Sequence, residues 1–216
     1  MSCCSSDWST FHSSFWSTFH SSLTQGSVLQ GWALAEQGLS EEGISQIRQG
    51  LATQEAIGAG LFRSYFLALL AETYGKAGQI EEGLAVLVEA LTVVDKSGER
   101  SYEAELYRLK GTLTLQQESQ KSKGKSQKSK MTDPRPLSPD PQGEAEACFC
   151  KAIEIAQRQQ AKSLELRAAM SLARLWQRQD KREEARQLLA EIYGWFTEGF
   201  DTPDLQEAKT LLEELN

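Results

Sequence analysis

The sequence predicts an all-α fold, an α-solenoid of about four antiparallel helix pairs in 40-residue units followed by a C-terminal capping helix. Residues 25–116 and 144–216 are rich in Ala, Leu, Glu, Gln and Arg, the side chains that lose least on entering a helix. Apolar positions advance by 4, 3, 4 and 3 through Ile80, Leu84, Leu87, Leu91 and Val94, a helical period and not an alternating one. A short pattern of glycines, acids and apolar knobs then returns 40 residues on, the mark of stacked units.

In chain order, residues 1–24 read as a disordered low-complexity tail. Trp-Ser-Thr-Phe-His-Ser-Ser occurs at 8–14 and again at 16–22, with no aliphatic residue before Leu23 apart from Met1. Residues 25–116 hold units 1 and 2 and the first helix of unit 3. Residues 117–143 read as a disordered Lys/Ser/Pro insertion, with four of the chain's five prolines and five lysines between Lys121 and Lys130. Its Gly124-Lys125-Ser126 echoes a phosphate-binding loop, but Ser119 stands where that loop needs glycine and no buried strand precedes it. Residues 144–216 hold the second helix of unit 3, unit 4 and the capping helix.

The repeat is read by aligning Gly38-Leu-Ser-Glu-Glu-Gly43, Gly78-Gln-Ile-Glu-Glu-Gly83, Gly143-Glu-Ala145 and Asp180-Lys-Arg-Glu-Glu-Ala185. The small residues at 43, 83, 145 and 185 are spaced 40, 62 and 40 apart, so the third unit is an ordinary one split by the insertion. Each unit opens with a helix bearing small residues and an aromatic or leucine: Gly31 and Leu34, Ala71 and Tyr74, Gly111 and Leu115, Ala173 and Trp176. A turn follows at Gly38, Gly78 or Asp180, where glycine accepts a left-handed backbone. Acids come next, at Glu41 and Glu42, Glu81 and Glu82, Glu144 and Glu146, and Glu183 and Glu184, complementing the dipole of the second helix. Ser40 and Asp180 are expected as N-caps, with Asp180 and Glu183 forming a capping box. Four residues past the small residue sits a knob: Ile47, Leu87, Phe149 or Leu189. At the end of the chain, Thr202 as N-cap and Pro203 as first helical residue start a helix whose Leu205, Ala208, Leu211, Leu212 and Leu215 share one face, fit to cover a solenoid end.

The pattern of Ala71, Tyr74, Gly78, Gly83, Leu87, Ala90 and Leu91 resembles the tetratricopeptide repeat (TPR), in four copies over most of the chain outside the tail and insertion. The unit is longer than that family's usual ~34 residues, and the family's proline after the second helix is missing. Units of this length resemble those of large bacterial signalling ATPases and nucleotide-cyclase-linked proteins, and the run from Ile192 to Leu205 resembles the ends of such chains. The resemblance implies a right-handed superhelix whose inner wall comes from the first helices. That wall would carry Tyr65, Ala68 and Glu72, then Glu105, Arg108 and Thr112, then Arg167, Met170, Arg174 and Arg178. Of these, Tyr65, Glu72, Arg108, Thr112, Arg167, Met170, Arg174 and Arg178 are the candidate protein-binding groove. Arginine forks suit carboxylates, so an acidic segment is the expected partner. Asn216 is the only asparagine, so the Asn/Lys clamp some TPR domains close on a terminal carboxylate cannot be built.

Composition narrows the function classes. A net charge of −7 opposes general nucleic-acid binding. Both histidines, His12 and His20, lie in the tail, so a body starting near residue 25 has no imidazole base or ligand. Cys3, Cys4, Cys148 and Cys150 lack the spacing of redox or zinc sites and read as reduced cytoplasmic thiols. No apolar run approaches membrane-span length, and no signal peptide is evident. The paired glutamates are explained by helix starts, and Trp32, Trp176 and Trp195 by packing. The expectation is a non-catalytic protein–protein interaction module in the cytoplasm, with no cofactor, no metal, no nucleic acid and no membrane. The alternative is a detached regulatory or sensor part of a signalling ATPase or nucleotide cyclase.

Overall fold

The computed structural model describes residues 25–58, 60, 62–125 and 140–216. All regular structure among them is helical: α1 over 25–36, α2 Ser40–Ala56, α3 Arg63–Lys76, α4 Ile80–Ser97, α5 Glu103–Lys125, α6 Pro141–Arg158, α7 Lys162–Arg178, α8 Arg182–Tyr193 and α9 Pro203–Leu215. The duplicated tail and residues 126–139 of the insertion lie outside the described residues. The odd-numbered helices α1 to α7 are the first helices of the four repeats and the even-numbered ones the second.

Left-handed residues punctuate this order. First helices end at Gly38 (φ 89°), Gly78 (φ 76°) and Asp180 (φ 61°), and second helices at Gly58 (φ 69°), Gly98 (φ 73°) and Gln160 (φ 55°). After four of these residues the next amide donates five positions back: Leu39 to Leu34 O at 3.0 Å, Gln79 to Tyr74 O at 2.9 Å, Ala161 to Ala156 O at 2.9 Å and Lys181 to Trp176 O at 3.0 Å; after Gly98 the Glu99 amide donates instead to Ser97 Oγ at 3.1 Å. The five-back bond is the Schellman closure, which needs a residue at positive φ. Asp180 fills that role and is therefore not the N-cap expected of it. Lys181 is the N-cap of α8, and Leu39, not Ser40, is that of α2, neither with a side-chain bond. The acids fall where expected, in the first turns of α2, α4, α6 and α8, except Glu146, which lies a turn further on.

The chain divides into two compact parts, up to Val86 and from Leu87. In the first, α2 packs on α3. The backbones of α1 and α2 nearly touch: a Cβ on Gly43 would lie 2.5 Å from the Gly31 carbonyl oxygen and 3.0 Å from Ala35 Cβ. Val28, Ile47, Phe66, Leu67, Leu70 and Tyr74 are buried in this part.

In the second part each helix from α5 to α9 packs on the next, and α5, α7 and α9 also lie side by side. Phe149 on α6 fills the space left by Gly111 on α5, where a Cβ would sit 2.6 Å from the Phe149 ring. Phe149 joins one core with Leu166, Leu172, Leu189, Leu205 and Leu211. The α9 helix buries Leu205, Ala208, Leu211 and Leu215 against this core and leaves its polar face outward, as a terminal cap requires. Thr202 is its N-cap with Pro203 in the first turn, but the Thr202 hydroxyl donates back to Gly199 O at 2.7 Å.

Sequence reasoning places the insertion's start at 117, yet α5 runs on through Lys125. A nucleated helix adds turns at little cost, and the Ser119 and Ser122 hydroxyls fold back to donate to the carbonyls of Leu115 and Glu118. At the far side, Pro141 opens α6, with the Asp140 carboxylate accepting from the Gln142 amide at 3.1 Å.

Candidate protein-interaction face

The first helices carry the residues singled out for the groove. In the first part, Tyr65 and Glu72 are half-buried on α3 and Ala68 is buried. Tyr65 packs on Phe66 with ring centroids 5.2 Å apart. Glu72 pairs with Lys76 at 3.3 Å, and Lys76 also pairs with Glu36 on α1. Burial works against the Lys76 charge, but the Glu36 and Glu72 carboxylates hold its ammonium above the ordinary lysine value. Tyr74 lies beneath Arg48, whose guanidinium carbon is 5.5 Å from the ring centre. Burial pushes the Tyr74 hydroxyl up; the Arg48 charge pulls the other way and Glu82 and Glu41 add to the rise.

In the second part an ion cluster ties α5 to α7. The Glu105 carboxylate is buried and accepts two bonds from Arg108, at 2.7 and 2.9 Å. Arg167 of α7 reaches the same carboxylate at 3.1 Å. Burial alone would raise the Glu105 pKa; the Arg108 hydrogen bonds and the Arg108 and Arg167 charges outweigh it and leave the carboxyl below its ordinary value. Thr112 donates to the Arg108 carbonyl at 3.0 Å. Arg174 pairs with Glu207 of α9. Met170, expected on the groove surface, is 3% exposed and belongs to the core. Its repeat position holds Ala68 and Arg108 in the preceding units, so size and polarity there follow local packing.

The wall's cations are thus consumed sideways. Glu36 and Lys76 hold one repeat position in successive units, as do Glu105 and Arg167, and each pair closes an ion pair between neighbouring first helices. A signal for this stood in the sequence: opposite charges separated by the repeat length, 40 in one case and 62 in the other. Arg178 differs. It is exposed, makes no ion pair or side-chain hydrogen bond among the described residues, and borders a cavity of about 310 Å³ with Leu115, Glu118, Ser119, Ser122, Gln142 and Leu175.

Two tryptophans pack as expected. Trp176 is partly buried and donates to Glu146 at 2.9 Å, and Trp32 is half-buried. Trp195 is not packed: it is 59% exposed, with Lys162 lying 5.7 Å from its ring centre and Phe196 set edge-on at 5.3 Å. Phe200 nearby is 47% exposed.

No protein-family model matches the chain, and no curated protein does. Solved structures do. The TPR-like repeats of a Podosopora anserina kinesin light chain superpose with a TM-score of 0.59 at 16% identity, over 91% of this chain and 86% of that one. A variant of the same repeats gives a TM-score of 0.58 at 17% identity, over 91% of this chain and 94% of that one. The fold is therefore that of a TPR-like helical repeat.

Proposed function

We propose that the chain is a non-catalytic interaction module that docks a peptide or helix of a partner protein against its first helices. The observation that carries this reading is the TPR-like fold, whose first helices hold Tyr65 and Glu72 in the first part, and Thr112, Arg167 and Arg174 in the second, at half-buried positions. Helical repeats use such a face to bind extended partners. An acidic partner segment competes with Glu105 and Glu207 for Arg167 and Arg174 but meets no competitor at Arg178. The test is a calorimetric or anisotropy titration of peptides selected on the wild-type chain. Thr112→Lys, which sets a long cation on that face of α5, should weaken binding at least about tenfold, about 1.4 kcal/mol, without shifting thermal unfolding. Unchanged affinity in that variant would reject the face.

A second reading is a regulatory part of a signalling ATPase or nucleotide cyclase. The closing run favours it, because Trp195 and Phe200 expose aromatic surface of the kind that marks a further protein contact. Co-purification with an ATPase or cyclase encoded beside this chain, lost on Trp195→Ala, would support it, and intact association in that variant would count against it.

A further inference from the structure

The α5–α7 cleft is set apart from the other first-helix pairs by the length of α5. In the other repeats the first helix stops where the hairpin turns, at 36, 76 and 178, whereas α5 continues through Lys125. The nine residues beyond 116 extend the helix by about 13 Å. Leu115, Glu118, Ser119 and Ser122 recur at steps of 3, 1 and 3 and so share one face of it. That face forms one wall of the 310 Å³ cavity, whose other wall is Leu175 and Arg178 of α7 and whose end is Gln142 of α6.

The chemistry of the lining is specific. Glu118 and Arg178 stand at the cavity with opposite charges and are not in ion-pair contact with each other or with any described residue. Elsewhere in this part Arg100, Arg108, Arg158, Arg167, Arg174 and Arg186 are paired, and Arg182 on α8 shares with Arg178 the lack of an ion pair among the described residues. Half-buried Leu115 supplies most of the apolar surface, with Leu175 buried behind it, and the Ser119 and Ser122 oxygens, whose protons go to the α5 backbone, are left as acceptors. A ligand complementary to this set carries an acid for Arg178, a base for Glu118 and a leucine-sized apolar group between them.

We propose that this cleft binds a peptide segment of a partner protein in which an acidic and a basic residue flank an apolar one, the acid pairing with Arg178 and the base with Glu118. The proposal rests on the interaction-module reading and assigns its specificity to the α5 overrun.

The test uses the full chain to select from a random phage-displayed peptide library, followed by anisotropy titration of the selected peptides. Enriched sequences should carry the acid–apolar–base triplet, and Arg178→Glu should weaken them at least tenfold. The double swap Glu118→Arg with Arg178→Glu should restore binding to peptides with the two charges exchanged. Thermal unfolding of each variant should stay at the wild-type midpoint, since neither side chain supports another. Peptides that enrich without the triplet, or that bind Arg178→Glu unchanged, overturn the cleft assignment and leave the module reading standing. Failure to enrich any peptide overturns both. Methyl NMR of Leu115 and Leu175 gives the remaining decision. Shifts on adding the selected peptide support the proposal. Shifts on replacing residues 126–139 with a Gly-Ser tether, with none on adding peptide, assign the cleft to the chain's own insertion and overturn it.

Discussion

Arg167 on α7 and Glu105 on α5 hold the same position of successive repeats, and their side chains meet at 3.1 Å beside the Arg108 fork. The buried carboxylate is the common anion of two guanidinium groups. Removing it takes from Arg108, with only 13% of its side chain exposed, the carboxylate on which its fork closes.

Glu105→Ala should therefore destabilise the fold by about 3 kcal/mol, within the range for breaking a buried ion pair. The pH dependence follows from the sign of the shift. The folded Glu105 carboxyl lies below its ordinary value, so its contribution is complete above about pH 4.5 and is lost as pH falls toward the folded value. Denaturant unfolding of wild type and Glu105→Gln should differ most near neutrality and converge in acid. A difference that stays constant from pH 7 to pH 3 contradicts this.

The contact of Gly111 with Phe149 yields a double-mutant cycle. Gly111→Ala gains helix propensity but drives a Cβ to 2.6 Å from the ring, so it should cost about 1–3 kcal/mol. Phe149→Leu installs the knob that repeats 2 and 4 carry at Leu87 and Leu189, and in that background Gly111→Ala should be neutral or stabilising. Chemical-denaturation midpoints of the four proteins measure the coupling, and strict additivity would refute it.

Gln54 on α2 is 1% exposed, and neither the Oε1 nor the Nε2 of its amide finds a partner among the described residues. Its repeat equivalents are Val94 and Ala156, both buried. Gln54→Leu should raise stability by about 1–2 kcal/mol, because the desolvated amide is removed without leaving another group unpaired. A lowered unfolding midpoint would show that the amide has a partner in solution.

Asp180 closes α7 at φ 61°. Asp180→Gly should be neutral or stabilise by about 0.5 kcal/mol, the relief of left-handed strain being partly offset by glycine's looser unfolded chain. Asp180→Val should destabilise by more than about 1 kcal/mol. If Asp180 acted as an N-cap, glycine would lower the thermal midpoint of unfolding, and that result would sink the assignment.

Much of the fold was legible because the repeat imposes one backbone on several sequences. Gly38 and Gly78 announced left-handed closures, and the knobs at Ile47, Leu87, Phe149 and Leu189 are all buried. Asp180 was misread because the same residue type suits both an N-cap and a left-handed closure, and only the Schellman bond separates them. The end of α5 was hidden because lysine and serine oppose helix nucleation, while this helix was already nucleated by its packed turns. The face of the first helices was expected from the TPR resemblance, which carries nothing about the pairing of its charges, since that depends on which neighbour each arginine can reach. Arg178 stood in the expected stripe; Glu118, its counterpart at the cleft, lay in a stretch read as insertion and had no repeat equivalent to draw notice.

The α6 helix starts on its own Asp140 cap, and α5 and α6 are joined by buried contact between Gly111 and Phe149. The covalent tether between them is then dispensable once the two have met. A polypeptide severed there would persist as two associated fragments, so the insertion marks a natural seam where the gene could be split, permuted or given a new passenger while the scaffold holds.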